Sequence, residues 1–387
     1  MIEGTIRPSS FLILAAAMTI ALSDPELTQL AAAIKTWGLE LGFQQVGIAN
    51  INLHEHEARL LDWLAAGFHG AMDYMARHGV KRSRPAELVP GTVRVIAVRL
   101  DYLPPDAADP WRVLHDPALG YLSRYALGRD YHKVLRNRLQ RLAERMAAAI
   151  GPFGYRVFVD SAPVLEKALA EQAGLGWIGK HSNLLNRQAG SWFFLGEIYV
   201  DLPLPVDESG TAHCGRCVAC LAACPTRAIV APYRVDARRC LSYLTIELHG
   251  PIPLEFRQAL GNRIYGCDDC QLVCPWNRFA RITAELDFRV RQGLDASELV
   301  ELFGWDEAEF LRRTEGSAIR RIGHERWLRN IAVALGNAPH SPAVVAALQT
   351  RQAHSSELVR EHVIWALERL NIHQYYGCSR VLVELTL

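Results

Sequence analysis

No charge dominates this chain. Its 42 lysines and arginines face 41 aspartates and glutamates, a net of +1. That balance excludes a protein built as a whole to coat a polyanion, although a local basic patch can still bind nucleic acid. The glycine clusters show neither Rossmann nor P-loop spacing, so a nucleotide cofactor has no motif behind it. The apolar run Phe11–Leu22 is too short to cross a bilayer, and no membrane partner is expected. Ahead of it stand only Arg7 and Glu3, with no twin arginine. Two accounts of this run stay open: a signal peptide with a weak charged region, or an extension ahead of a true start at Met18. Residues 1–22 are set apart from the fold on either account. The rest is ordinary for a soluble globular protein, 50% hydrophobic and 21% charged, and 387 residues suggest two or three domains.

Cysteine is what the chain places with most care. Eight of nine fall into two runs and one single. The first run is Cys214-x2-Cys217-x2-Cys220-x3-Cys224-Pro225, the bacterial ferredoxin signature, in which the fourth cysteine serves the other cluster. The second, Cys267-x2-Cys270-x3-Cys274-Pro275, is one cysteine short, and Cys240 between the runs completes it. Two-residue gaps let a tight loop aim three thiolates at one cuboidal cluster, and the three-residue gap with its proline carries the fourth sulfur away. Cys214, Cys217, Cys220 and Cys274 are therefore assigned to one [4Fe–4S] cluster, and Cys224, Cys240, Cys267 and Cys270 to the other. A pair of zinc ribbons would leave Cys220, Cys224 and both prolines unexplained. A disulfide framework is not needed in a chain of this length. Such cysteines point to a reducing compartment, and the expected location is the cytoplasm.

Local signals divide the remainder. Residues 24–42 read as a helix with Asp24 as N-cap and Pro25 in its first turn. Val93–Val98, Tyr155–Val159 and Trp192–Val200 read as strands, and residues 131–150 as an amphipathic helix with Val134, Leu135, Leu139, Leu142, Met146 and Ile150 on one face. A further helix is expected from Pro163 to about residue 173. Strands separated by helices give an α/β domain to about residue 205, a linker follows to Gly210, and the cluster domain runs to about residue 280. Beyond it the chain is helical. Arg329–Leu335 matches Glu361–Leu367 at an offset of 32 residues, which suggests either a pair of HEAT-like repeats or two unrelated amphipathic helices. The tail from Gln374 carries no clear role, and Cys378 within it is expected to be a free thiol.

Three stretches outside the cysteines could carry chemistry. Ser123–Lys133 is dense in polar and aromatic side chains. Val159–Pro163 delivers Asp160 at a strand end, where a carboxylate either serves a ligand or merely caps the next helix. Gly174–Asn183 holds three glycines in six residues, which lets backbone approach a cofactor. Asp130-Tyr131-His132 falls short of the cobalamin-binding D-x-H-x-x-G because residue 135 is Leu, so His132 is not taken as a cobalt ligand. His54 and His56 are expected on a solvated helix face. From Arg312 to Arg329 six arginines stand against Glu315 and Glu325. They form either a solvated face or a phosphate-binding patch.

With those segments quoted, the chain from about Asp24 to about Leu370 resembles the epoxyqueuosine reductases of tRNA modification. The resemblance is carried by Ser123–His132, Val159–Pro163, Gly174–His181, the cysteine runs, Arg239–Glu247, Cys267–Asn277 and Arg320–His324. It implies a nitroreductase-like cobalamin domain over residues 23–205, related to that of reductive dehalogenases. A ferredoxin-like module with two [4Fe–4S] clusters spans 206–280, HEAT-like helices 281–373, and a tail 374–387. It implies base-off cobalamin without a histidine ligand, and reduction of the epoxide of epoxyqueuosine in tRNA to the alkene. Asp160 becomes the acid, expected to stay protonated by desolvation above the corrin. Arg82, Arg124, Tyr125, Ser182, Asn183 and Glu197 become the cofactor shell, with Ser242 and Thr245 lining the gap between cluster and corrin. The arginines 312–329 become the tRNA contact. An external low-potential donor is required, and a monomer is expected. Two other classes compete: a reductive dehalogenase of a small molecule, which would be expected to carry a twin-arginine signal and no basic helical repeat, and a plain electron carrier, which needs no Asp160.

Overall fold

The computed structural model describes residues 22–381, with side chains placed through Asn371. Met18, the run ahead of Leu22 and the side chain of Cys378 lie outside the described residues. The first domain is built on a four-stranded sheet of β1 (Gln45–Ala49), β2 (Arg94–Asp101), β3 (Tyr155–Phe158) and β4 (Phe193–Val200), in the order β1-β2-β4-β3. Every pair is antiparallel, and Ile96 stands between Ile48 and Ile198 in register. All eight residues of β4 are buried, because helices cover both faces of the sheet.

Helices α1 (Asp24–Glu40) and α2 (Tyr131–Ile150) cover one face. Leu30 and Ile34 of α1 and Leu135, Leu139 and Met146 of α2 meet Ile48, Ile96 and Ile198 there. Burying each such side chain contributes ~1.5–3 kcal/mol. Gly196 lets α2 come close: a Cβ there would stand 2.8 Å from Leu139. The cap of α1 is Ser23, not Asp24. The Ser23 backbone N–H and hydroxyl donate to Glu26 at 2.8 and 2.6 Å, half of a capping box. On the other face lies α3 (Glu166–Gln172), with Ala168 and Leu169 against Val95, Ala97 and Tyr199. It starts three residues after Pro163, and the intervening turn carries the strand end toward the site. The segment after the sheet stays on this domain: Asp207 accepts from the Ile48 N–H at 2.8 Å and pairs with Lys35.

The cysteine-bearing segment joins the sheet domain through a short parallel pairing of Tyr121–Leu122 with Arg263–Tyr265. Beyond it, α4 (Gly323–Asn337), α5 (Pro342–Gln349) and α6 (Glu357–Val381) pack together. Gly336 is where α4 and α6 touch, since a Cβ there would lie 2.7 Å from Trp365. Residue 373 lies inside α6, so the helix runs on into the segment set apart as a tail. Among the described residues no helix is long and apolar enough to cross a membrane.

Arg329 departs from the expected basic patch. It is fully buried and donates to the carbonyls of Leu244, Leu248 and Gly250 at 2.7–2.8 Å. Its neighbour Asn330 donates to the carbonyls of Thr245 and Ile264 at 2.8 Å. The short helix Leu241–Ile246 leaves its last carbonyls without intrahelical partners. This pair satisfies them and so pins the segment that carries Cys240.

Candidate active site

A cavity of about 820 Å³ opens where the three parts meet. Asp160 reaches it from the end of β3, Glu166 from the start of α3, and Arg321 from the helical part. Cys224, Cys240, Cys267 and Cys270 line it from the cluster segment. The other four, Cys214, Cys217, Cys220 and Cys274, line a separate cavity of about 260 Å³. The thiols are near neighbours within each group. Burial raises Cys220 to about 11, with the charges of Cys274, Cys214 and Cys217 adding to it. Burial likewise pushes Cys270 well up, with Cys240 and Cys224 contributing. Among the described residues no three His, Cys, Asp or Glu side chains converge as they would on a single ion.

The loop bearing Cys267 is held from behind. Asp268 is 1% exposed and accepts from the Tyr121 hydroxyl at 2.8 Å, the Ser123 hydroxyl at 2.5 Å and the Arg124 N–H at 2.8 Å. This explains the position of Arg124. Its guanidinium lies over the Tyr121 ring, 5.3 Å from the centroid, and it does not line the cavity. Thr245 also stays off the cavity. It is buried, donating to the Leu241 carbonyl at 2.7 Å and accepting from the Gly266 N–H at 2.9 Å. Ser242, Arg82, Tyr125, Ser182 and Asn183 do line it.

Asp160 has a φ of +33°, which few residues other than glycine or Asn/Asp adopt. Its side chain is 43% accessible, and that access is into the cavity. The Tyr131 hydroxyl donates to it, and His132 Nε2 stands 3.5 Å away. His132 Nδ1 is 2.7 Å from Asp130, the N-cap of α2, so an Asp130–His132–Asp160 array forms at the start of that helix. Burial opposes the charge on His132, but the hydrogen bonds and charges of Asp130 and Asp160 overcome it and raise the imidazole to about 9. Burial also pushes Asp160 up, yet the bonds from His132 and Tyr131 outweigh it and hold the carboxyl below its ordinary value. Burial by the protein alone therefore does not keep Asp160 protonated. The surrounding hydrogen bonds and charges favour an ionised Asp160 beside a protonated His132.

Burial does produce a neutral carboxyl one residue group away. It raises Glu166 to about 8, with the charge of Asp160 adding to the effect. Glu197 is deeper still. It is fully buried on β4, neither carboxylate oxygen has a hydrogen-bond partner, and it is not among the cavity's lining residues. Burial pushes it far up, reinforced by Glu166 and Asp160.

The arginines 312–329 do not form one surface. Arg312 and Arg313 are tied to Glu309, Arg326 donates to the Ile246 carbonyl at 2.9 Å, and Arg329 is buried. Arg321 alone of the six reaches the cavity, paired with Glu247. Sequence reasoning placed Arg321 only within the six-arginine tRNA patch, and it assigned Tyr131, His132 and Glu166 no role in the site. The Asp130-Tyr131-His132 triplet was their one visible signal.

Comparison with known proteins agrees with this arrangement. Residues 82–161 match the family described as Epoxyqueuosine reductase QueG, DUF1730, and residues 213–277 match the 4Fe-4S double cluster binding domain. Epoxyqueuosine reductase of Pseudomonas aeruginosa is 66% identical over 349 residues, 90% of this chain and 96% of its own. That of Escherichia coli is 61% identical over 347 residues, covering 89% and 91%. Among solved structures, an epoxyqueuosine reductase with an epoxyqueuosine-modified tRNA-Tyr stem loop has a TM-score of 0.76 at 25% identity, covering 89% of this chain and 99% of that one. The Bacillus subtilis enzyme, solved with its catalytic aspartate loop swung out of the active site, has a TM-score of 0.79 at 26% identity, covering 88% and 90%.

Proposed function

This chain belongs to the epoxyqueuosine reductase family, and on that premise we propose that it reduces the epoxide of epoxyqueuosine in tRNA to the alkene of queuosine, with Asp160, His132 and Glu166 handling the protons. The observation that carries the reading is one shared cavity: Asp160 lines it together with Cys224, Cys240, Cys267 and Cys270. The reaction consumes two electrons and two protons and releases the oxygen as water. It needs electron entry and proton delivery at one place.

Two groups of four cysteines suit two [4Fe–4S] clusters. The cavity suits cobalamin. It borders the inner cysteines, and buried polar atoms without partners, Arg82 Nε and His181 Nε2, belong to residues that line it. Arg82, Tyr125, Ser182, Asn183 and Ser242 would hold the corrin and its amides. When bound, cobalamin would supply a strongly reducing centre for opening the epoxide.

The chain's own residues manage the rest. Ring opening leaves an alkoxide, a poor leaving group until it is protonated. The proton held on His132 Nε2 passes through Asp160 to that oxygen. Tyr131 and His132 keep the Asp160 carboxylate ionised and aimed until then. Glu166, neutral near pH 7 and lining the same cavity, holds the second proton. Arg321 and Glu247 stand at the cavity where the helical part meets it, so Arg321 orients the nucleotide as it enters.

The finer fold assignments belong to this reading. Residues 23–205 are nitroreductase-like, 206–280 ferredoxin-like, and 281–373 HEAT-like. The pairing of α4 with α6 supports the last, because the offset of 32 residues aligns those two helices. The chain acts as a cytoplasmic monomer reduced by an external low-potential donor. To test the function, the protein is reconstituted anaerobically with iron, sulfide and cobalamin, given a chemical reductant, and offered epoxyqueuosine-containing tRNA. Nucleoside mass spectrometry should show loss of one oxygen only when cobalamin is present. Cobalamin binding with unchanged tRNA would overturn the substrate and favour a small molecule.

A further inference from the structure

We propose that the arginine-lined groove beside the outer cysteine group is the docking face for the electron donor, and that this donor is an acidic one-electron carrier protein. The inference rests on the reading above only in that the clusters must be reduced from outside.

The path inward is set by the two cysteine groups. The inner group faces the substrate cavity. The outer group approaches solvent, with Cys217 exposed and Val218 beside it 53% exposed. His181 lines both the substrate cavity and the small cavity at the outer cysteines, so the two are neighbours. Electrons therefore enter at the outer group.

Next to that group lies a groove of about 620 Å³. Trp276, Arg278 and Phe279 line both the groove and the cavity at the outer cysteines, which makes the two continuous. Arg187, Arg278 and Arg281 line the groove, and no carboxylate does. All three are exposed. Arg216, between Cys214 and Cys217, is a fourth exposed cation. Among the described residues none of the four has an ion-pair partner, so no carboxylate of this chain neutralises the cluster. Arg281 donates only to the Gln188 carbonyl at 3.1 Å, and Arg278 lies over Phe279 at 4.6 Å. Asp101, whose charge reaches Arg281, is buried and paired with Arg99 at 3.2 Å.

An aromatic centre within a rim of unpaired arginines has the makeup of a small transient interface. Unpaired positive charge beside an electron entry point selects a partner of opposite sign and speeds its encounter. A tRNA is the other polyanion this protein meets. The groove shares no lining residue with the substrate cavity, whereas it shares Trp276, Arg278 and Phe279 with the cavity at the outer cysteines. That separation favours the carrier protein.

The test follows cluster reduction by stopped flow in the cluster-loaded protein, with two donors: reduced plant-type [2Fe–2S] ferredoxin, which is acidic, and reduced methyl viologen, which is cationic. For the unaltered protein the ferredoxin rate should fall steeply with added salt and the viologen rate should not. Arg278→Glu with Arg281→Glu should slow ferredoxin at least about tenfold and flatten its salt dependence. Viologen reduction should not slow, and tRNA affinity should be unchanged. If those variants do not take up clusters, Arg278→Gln with Arg281→Gln and the salt titration of the unaltered protein decide the matter alone. A salt-independent ferredoxin rate, or one unaffected by the substitutions, overturns the proposal. So does a variant that loses tRNA affinity while ferredoxin still reduces it normally, which would give the groove to tRNA. Failure of the reductase reading would show separately, as tRNA left unchanged with viologen as donor.

Discussion

The sulfur side of the cavity and its proton side are held by different means. Cys240 and Cys267 sit on segments clamped from behind, the first by Arg329 and Asn330 on the carbonyls of its helix, the second by three donors converging on Asp268. Both clamps are buried. Asp160 sits instead on a strained turn open to the cavity, held by Tyr131 and His132. Electron transfer needs fixed separations, and a clamp supplies them. Proton transfer needs a group that can come within hydrogen-bond reach of an oxygen that forms only during reaction, and a lightly held carboxylate can do so.

Four outcomes would break or sharpen that contrast. Cys240→Ser should have the largest effect. It removes a proposed ligand of the inner cluster, so iron content should fall to about half and queuosine formation should stop, while the outer cluster keeps its electron paramagnetic signal. Arg329→Ala tests the clamp itself. Leaving three buried carbonyls unpaired should cost about 3–5 kcal/mol of stability, read as a lowered denaturation midpoint together with loss of the inner cluster. A variant of normal stability would mean that the clamp is incidental.

Glu166→Gln belongs to the proton side and should leave both clusters intact. It should slow turnover roughly 10²-fold, the low end for loss of a positioned proton donor. The pH profile gives the sharper readout. Glu166 is raised to about 8 and His132 to about 9, and both must carry their protons to act. Activity should therefore be nearly full at about pH 7, about half lost near pH 8 and lost further as pH rises through 9. In the Gln variant the limb near 8 should vanish and the one near 9 remain. Arg321→Ala should have the smallest effect, raising KM for tRNA about 5- to 10-fold with kcat little changed.

The same contrast decided what could be read from residues alone. Cluster ligands must recur at intervals that a tight loop permits, and the ferredoxin signature divided the eight cysteines into the same two fours that line the two cavities. Asp160 was visible because it follows the strand pattern Tyr155–Val159 directly ahead of a helix. His132 and Glu166 were not assigned roles. One starts a helix and the other sits on a helix that begins later than its proline suggests, and only folding brings both to Asp160. The antiparallel sheet was hidden as well, since strands separated by helices look alike whichever way they pair. The six arginines misled for a related reason: linear charge density does not tell an exposed guanidinium from Arg329, which spends its donors on buried carbonyls. Thr245 and Arg124 lie beside site residues in sequence but face the supports behind the site.

The central claim is that Asp160 delivers the proton while the cysteine side delivers electrons independently of it. Single turnover of the cobalamin-loaded Asp160→Asn variant, with both clusters reduced beforehand, tests it most directly. Cluster reduction should proceed at the unaltered rate while queuosine appears about 10²- to 10⁴-fold more slowly. Queuosine formation within a few-fold of the unaltered protein would contradict the account and move the acid elsewhere in the cavity.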